Sequence, residues 1–173
     1  MSLLTPMLRS SPLTDWFSDA QRVQGMLDFE AALAQAQAAC GMVPPEAVGP
    51  IVAACRHEAI DFAALGEAAV GAGNLAIPLV KQLTAQVKAQ DPEAARYVHW
   101  GATSQDAIDT GLVLQLRGAL DAAETLLEQL LAALALQADR YRDTVMPGRT
   151  WMQHALLSLI HISEPTRLGM ISY

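Results

Sequence analysis

Cysteine and aromatic residues are scarce in this chain. Its 173 residues hold two cysteines, Cys40 and Cys55, and three each of Phe, Trp and Tyr. Two cysteines so far apart support neither a disulfide framework nor a metal-binding cluster, and their plain reading is small buried hydrophobes in a reducing compartment. Charge is low as well, at 17%. The positive kind is outnumbered, with 11 Lys and Arg against 18 Asp and Glu for a formal net charge of −7. There is no basic run and no interleaving of basic and aromatic residues, so the footprint of a nucleic-acid binder is missing. Long apolar runs are missing too. The longest strongly apolar stretch, residues 126–138, is broken by Glu128, Gln129 and Gln137 and falls short of the ~20 residues of a membrane helix. Residues 1–15 lack the continuous apolar core of a signal peptide, which makes the cytoplasm the expected compartment.

What the chain has in quantity is alanine, 31 residues, all at or before Ala155. With hydrophobic residues at 52% there is ample material for a core, and the scarcity of β-branched and aromatic residues favours helix over strand. The expected fold class is all-α, as one domain of ordinary size or a piece of a larger protein.

Apolar residues at three- and four-residue steps predict a helix from Ser18 to Cys40, closed by Gly41, with Glu30 the polar exception on the stripe. Pro44 and Pro45 open a short helix to about His57. Asp61 starts another to about Val70, and Asn74 caps a third through Ile77, Leu83 and Val87. From Ser104 to about Asp143 there is no proline, and Val113, Leu116, Leu120, Ala123, Leu127, Leu130 and Leu134 form the seam of a helix bundle. Such a helix is roughly 60 Å long, against about 40 Å for a globule of this chain length. It is therefore expected to need partners outside the chain. Residues 157–173 contain no Ala but three of the seven Ile. They are expected to be a foreign tail after an N-terminal helical domain over 1–102 and the start of a central bundle over 103–156.

Two motifs carry little. His57-Glu58-Ala59-Ile60-Asp61 begins like a zinc-protease helix but has Asp where the second His belongs. The glycines around Gly71–Gly73 match a loose dinucleotide fingerprint but follow helical rather than strand sequence. Two other segments carry more. His99-Trp-Gly-Ala-Thr-Ser-Gln-Asp-Ala-Ile-Asp-Thr110 sets an imidazole and two hydroxyls at the start of the longest helix. Unpaired N–H groups and the helix dipole favour an anion there, with Thr103 and Ser104 as donors to a carboxylate. The plainer alternative is that Thr103 or Ser104 caps the helix, with Asp106 in a capping-box position. Further on, Gly148-Arg-Thr-Trp-Met-Gln-His-Ala155 gathers a cation, a hydroxyl, an amide and an imidazole. Arg149 can grip a carboxylate, and Thr150 and Gln153 can donate to charge developing on an enolate-like intermediate. An ordinary loop with a surface Arg is the alternative here.

These two segments resemble, in order, the first two signature regions of the fumarase/aspartase superfamily. Met26–Ala34 and Ala72–Lys81 extend the resemblance to its cycloisomerase branch. The second signature usually reads Gly-Arg-Thr-His. Trp151 stands in that last place, which agrees with the cycloisomerases and argues against adenylosuccinate lyase, the alternative within the superfamily. A non-catalytic scaffold pairing through the 104–143 helix is the alternative from another class.

The resemblance implies an N-terminal helical domain plus the first long helix of a central bundle, homotetrameric in the full-length protein. It also implies a small tricarboxylate substrate closed to a lactone without metal or cofactor, and no nucleic-acid or membrane partner. With Trp151 in place of the usual proton-transfer His, the resemblance leaves the general acid unassigned: His99 and His154 are candidates by residue type, His99 ranked above His154, and Trp151 is expected to line the pocket. Thr103, Ser104, Arg149, Thr150, Gln153 and Asn74 are the implied substrate-binding set. The third signature region is absent, so the chain alone is expected to be inactive.

Overall fold

The computed structural model describes residues 11–150 and 153–158. Local capping sets the elements. The Ser18 side chain accepts the Gln21 N–H at 3.3 Å and starts α1, Asp19–Ala39. Gly41 turns the chain out of it at φ +71°, where a Cβ would be strained. Pro45 opens α2, Pro45–Ala54, which is shorter than expected because a separate 3₁₀ turn covers His57–Ala59. The Asp61 carboxylate accepts the Ala64 N–H at 3.0 Å to start α3, Phe62–Ala72. Asn74 Oδ1 accepts the Ile77 N–H at 3.0 Å at the head of α4, Ala76–Gln90. A 3₁₀ turn at Ala94–Tyr97 leads into α5, Ser104–Tyr141, 38 residues long.

The fold is helical as expected, with one exception. Met146–Thr150 (β1) and Gln153–Ser158 (β2) pair antiparallel, with Met146 opposite Ser158 and a register shift between Pro147 and Arg149. The sequence reading assigned this segment no strand and gave an ordinary loop as its plainer alternative. Pro147 and Gly148 do exclude helix there, but they leave an extended ribbon rather than an irregular loop.

The chain divides into two compact units, Met1–Ala122 and Ala123–Tyr173. The expected boundary at 102/103 falls just before α5, whereas the first unit continues nineteen residues into that helix. The cause is a row at four-residue spacing, Ala107, Gly111, Gln115 and Ala119, all buried. Gly111 meets Gly25 of α1 backbone to backbone: a Cβ on Gly25 would lie 2.8 Å from the Gly111 carbonyl oxygen. Gln115 donates to the Trp16 carbonyl at 2.7 Å. The rest of the first unit's core is Val23, Met26 and Leu27 of α1, Ile51 of α2, Leu65 of α3, and Leu79, Leu83 and Val87 of α4.

The leucine seam read from the sequence is a different face. Val113, Leu116, Leu120, Leu127, Leu130 and Leu134 are all exposed. Ala107, Gly111, Gln115 and Ala119, not the leucines, seat the first part of α5 in the first unit. One cysteine also departs from its reading: Cys55 is buried and its thiol is pushed up to about 12, by burial first and then by the charges of Glu30 and Asp28, but Cys40 is exposed.

Candidate functional site

The loop before α5 is held from below by α1. His99 has φ +56° and Gly101 φ +70°. A left-handed conformation costs a non-glycine residue ~1–2 kcal/mol, so the corner must be held by contacts. Two side chains one heptad apart on α1 supply them. Glu30 Oε1 lies 2.6 Å from His99 Nδ1, and Gln37 Nε2 donates to the Trp100 carbonyl at 2.6 Å. The rings of Tyr97 and Trp100 pack at 5.9 Å. Glu30 is 2% exposed, and burial pushes its carboxyl above the ordinary value while the charge and hydrogen bond of His99 pull it back.

At the head of α5 the Asp106 carboxylate accepts the Thr103 N–H at 2.9 Å. This is the half of a capping box expected of Asp106, while the Asp106 N–H bonds to the Thr103 carbonyl at 3.1 Å rather than to a hydroxyl. The hydroxyls of Thr103 and Ser104 make no hydrogen bond among the described residues, and both are at least partly exposed. They remain free to donate to an anion beside the unpaired N–H groups of the first turn.

Asn74 has structural work in capping α4, as noted above, and it also borders a cleft of about 320 Å³ lined by Arg22, Met26, Leu75, Ile108, Leu112 and Gln115. Arg22 is the only charged residue of that lining, and sequence reasoning gave it no role. Glu30 and Gln37 were missed as well. Glu30 did carry a signal, as a carboxylate on an otherwise apolar stripe, but nothing in the sequence named its partner.

The second signature lies in the other unit, on the hairpin. Its register sets Arg149 opposite His154 and Thr150 opposite Gln153 along the backbone. Trp151 lies outside the described residues. His57, from the motif set aside, contacts Gln24 Oε1 through both its backbone N–H and its ring. Among the described residues no three side chains converge as metal ligands, and no helix is long and apolar enough to cross a membrane.

A sequence model of a lyase family matches residues 8–170. The chain belongs to the lyase family. It is 58% identical over 161 residues to the 3-carboxy-cis,cis-muconate cycloisomerase of Pseudomonas aeruginosa, covering 93% of this chain and 33% of that protein. To the enzyme of the same name from Bradyrhizobium diazoefficiens it is 56% identical over 154 residues, covering 89% and 34%. The crystal structure of the 3-carboxy-cis,cis-muconate lactonizing enzyme from Pseudomonas putida superposes on it with a TM-score of 0.87 at 54% identity, covering 90% of this chain and 35% of that one. This lyase-family chain therefore spans about a third of the length of the relatives it matches.

Proposed function

We propose that this chain is part of a 3-carboxy-cis,cis-muconate cycloisomerase, and that the full-length protein closes that tricarboxylate to a carboxymuconolactone in protocatechuate degradation. The observation that carries the reading is the identity of 56% and 58% to two cycloisomerases over about nine tenths of the chain. Trp151, in place of the His usual in the superfamily, supports it against adenylosuccinate lyase.

The reaction is an isomerisation. One carboxylate oxygen bonds to an alkene carbon, a proton joins the neighbouring carbon, and no atom leaves. The barrier lies in charge that spreads onto a carboxylate in the transition state, which preorganised donors stabilise. In this reading the Thr103 and Ser104 hydroxyls and the N–H groups at the start of α5 hold one substrate carboxylate. Arg149, Thr150 and Gln153 serve another, and Asn74 belongs to the same binding set. His99 is the first candidate to deliver the proton and His154 the second, while Trp151 shapes the pocket.

The full-length protein is a cytoplasmic homotetramer in this reading, its sites assembled from several subunits. The exposed leucine face of α5 supports association. A chain that spans about a third of its relatives' length is inactive alone in this reading.

Ultraviolet spectroscopy of the full-length protein tests the reading. Lactone closure removes the conjugated diene, so absorbance of 3-carboxy-cis,cis-muconate should fall as lactone accumulates, and adenylosuccinate should be untouched. Unchanged muconate, or release of fumarate from adenylosuccinate, overturns it.

A further inference from the structure

Glu30 is the only charged side chain among the buried described residues. A buried carboxylate is costly, and an apolar residue of similar volume is often at least as stable in such a place. The apolar stripe of α1 would accept leucine or methionine at this position. The carboxylate instead stands 2.6 Å from His99 Nδ1, at the one non-glycine residue whose φ is positive among those described. One heptad along the same helix, Gln37 holds the next carbonyl, that of Trp100. Consecutive residues of the corner are thus gripped from two positions, two turns apart, on one face of α1.

The two nitrogens of His99 are in different positions. Nδ1 is engaged by Glu30, whereas Nε2 makes no hydrogen bond among the described residues. Among the described residues the buried side-chain atoms without a partner are Glu30 Oε2 and Gln37 Oε1. The His99 side chain keeps 17% of its surface exposed, four residues before the free hydroxyls begin at Thr103.

We propose that Glu30 is a positioning residue for His99: its carboxylate accepts the Nδ1–H, fixes the ring tautomer and orientation, and leaves Nε2 as the nitrogen offered to substrate at the head of α5. Carboxylates that set a histidine tautomer in this way are a general device in acid–base sites. The proton balance is simple. As imidazolium, His99 gives the Nε2 proton to the carbon next to the new C–O bond and becomes a neutral imidazole whose Nδ1–H stays on Glu30. A proton from solvent restores the ring. The catalytic part rests on the cycloisomerase reading, but the tautomer does not.

Two measurements separate these parts. In the 173-residue chain labelled with ¹³C-histidine, only four histidines contribute, and His99→Gln identifies the resonances of His99. At alkaline pH the ring carbon shifts report the tautomer. Wild type should show Nδ1–H, and Glu30→Met, which keeps the volume but removes the acceptor, should move the ring toward Nε2–H. A merely structural Glu30 would change thermal stability without moving the tautomer. In the full-length protein Glu30→Met should lower kcat for lactonisation at least about 100-fold with KM nearly unchanged, since a wrong tautomer costs ~10⁴ in a serine protease site.

An Nε2–H tautomer in the wild-type chain overturns the proposal without any variant, even if Glu30→Met fails to fold. A Glu30→Met protein with an unmoved tautomer or with wild-type kcat also overturns it. Absence of lactonisation by the wild-type full-length protein refutes the proposed function, while the spectra still decide whether Glu30 sets His99.

Discussion

Replacing Gly25 with alanine would put a methyl group 2.8 Å from the Gly111 carbonyl oxygen and within about the same reach of the rest of that residue's backbone. Ordinary contact begins near 3.4 Å, so α1 and α5 must part by about half an ångström at their crossing. No rotamer change relieves this, because both partners are main chain. Overpacking of this kind costs typically ~1–3 kcal/mol, while alanine in a helix interior regains up to ~1 kcal/mol over glycine. The net expectation is a loss of ~1–2 kcal/mol. Gly66, in α3, is the matched control, since a Cβ there meets nothing within 4 Å, and Gly66→Ala should gain up to ~1 kcal/mol. The propensity gain is common to both, so the two alanine variants should differ by the overpacking cost, ~1–3 kcal/mol, in urea unfolding followed by circular dichroism. Equal midpoints for Gly25→Ala and Gly66→Ala would refute the close crossing as the feature that seats α5 in the first unit.

Three further outcomes are expected. Gln115→Ala leaves the Trp16 carbonyl without its 2.7 Å donor and opens space beside it, for a loss of ~1–3 kcal/mol by the same unfolding assay. Because the folded value of the Glu30 carboxyl is raised, mainly by burial, its contribution to stability is complete below the ordinary value of 4.5 and is lost as pH rises through the folded value. Glu30→Gln should therefore gain on wild type as pH is raised above 4.5, and a stability difference independent of pH would contradict this. With a thiol reagent near neutral pH, exposed Cys40 should react fast and buried Cys55, its thiol pushed up to about 12, only on unfolding, which mass spectrometry of the labelled peptides reads directly.

Features governed by neighbours in sequence were legible before the structure. Ser18, Asp61 and Asn74 cap the helices they were expected to cap, and Gly41 turns out of α1, because capping joins residues within four positions. Features governed by distant residues were not. Gly25 and Gly111 read as two unremarked helix glycines, although their meeting determines which face of α5 turns inward. The leucine periodicity correctly marked an apolar face but not the narrower row of Ala107, Gly111, Gln115 and Ala119 that the first unit uses.

At the candidate site the loop and its residue types were visible in the sequence, and so was Glu30 as an anomaly. What holds the loop was not, because the partners of Glu30 and Gln37 lie more than sixty residues away along the chain. The capping carboxylate of Asp106 was anticipated in position, yet the hydroxyls it leaves free became apparent only from the geometry. The hairpin was not anticipated, since proline and glycine disfavour helix without indicating which extended partner the strand will find.

The most direct test of the central claim is proton NMR of the reaction of the full-length protein with 3-carboxy-cis,cis-muconate, run for wild type and for Ser104→Ala. The account predicts lactone signals from wild type and their near absence from the variant, with stability changed by no more than ~0.5 kcal/mol because the Ser104 hydroxyl holds no partner among the described residues. No lactone from wild type, or lactone formed at the wild-type rate by Ser104→Ala, would contradict it.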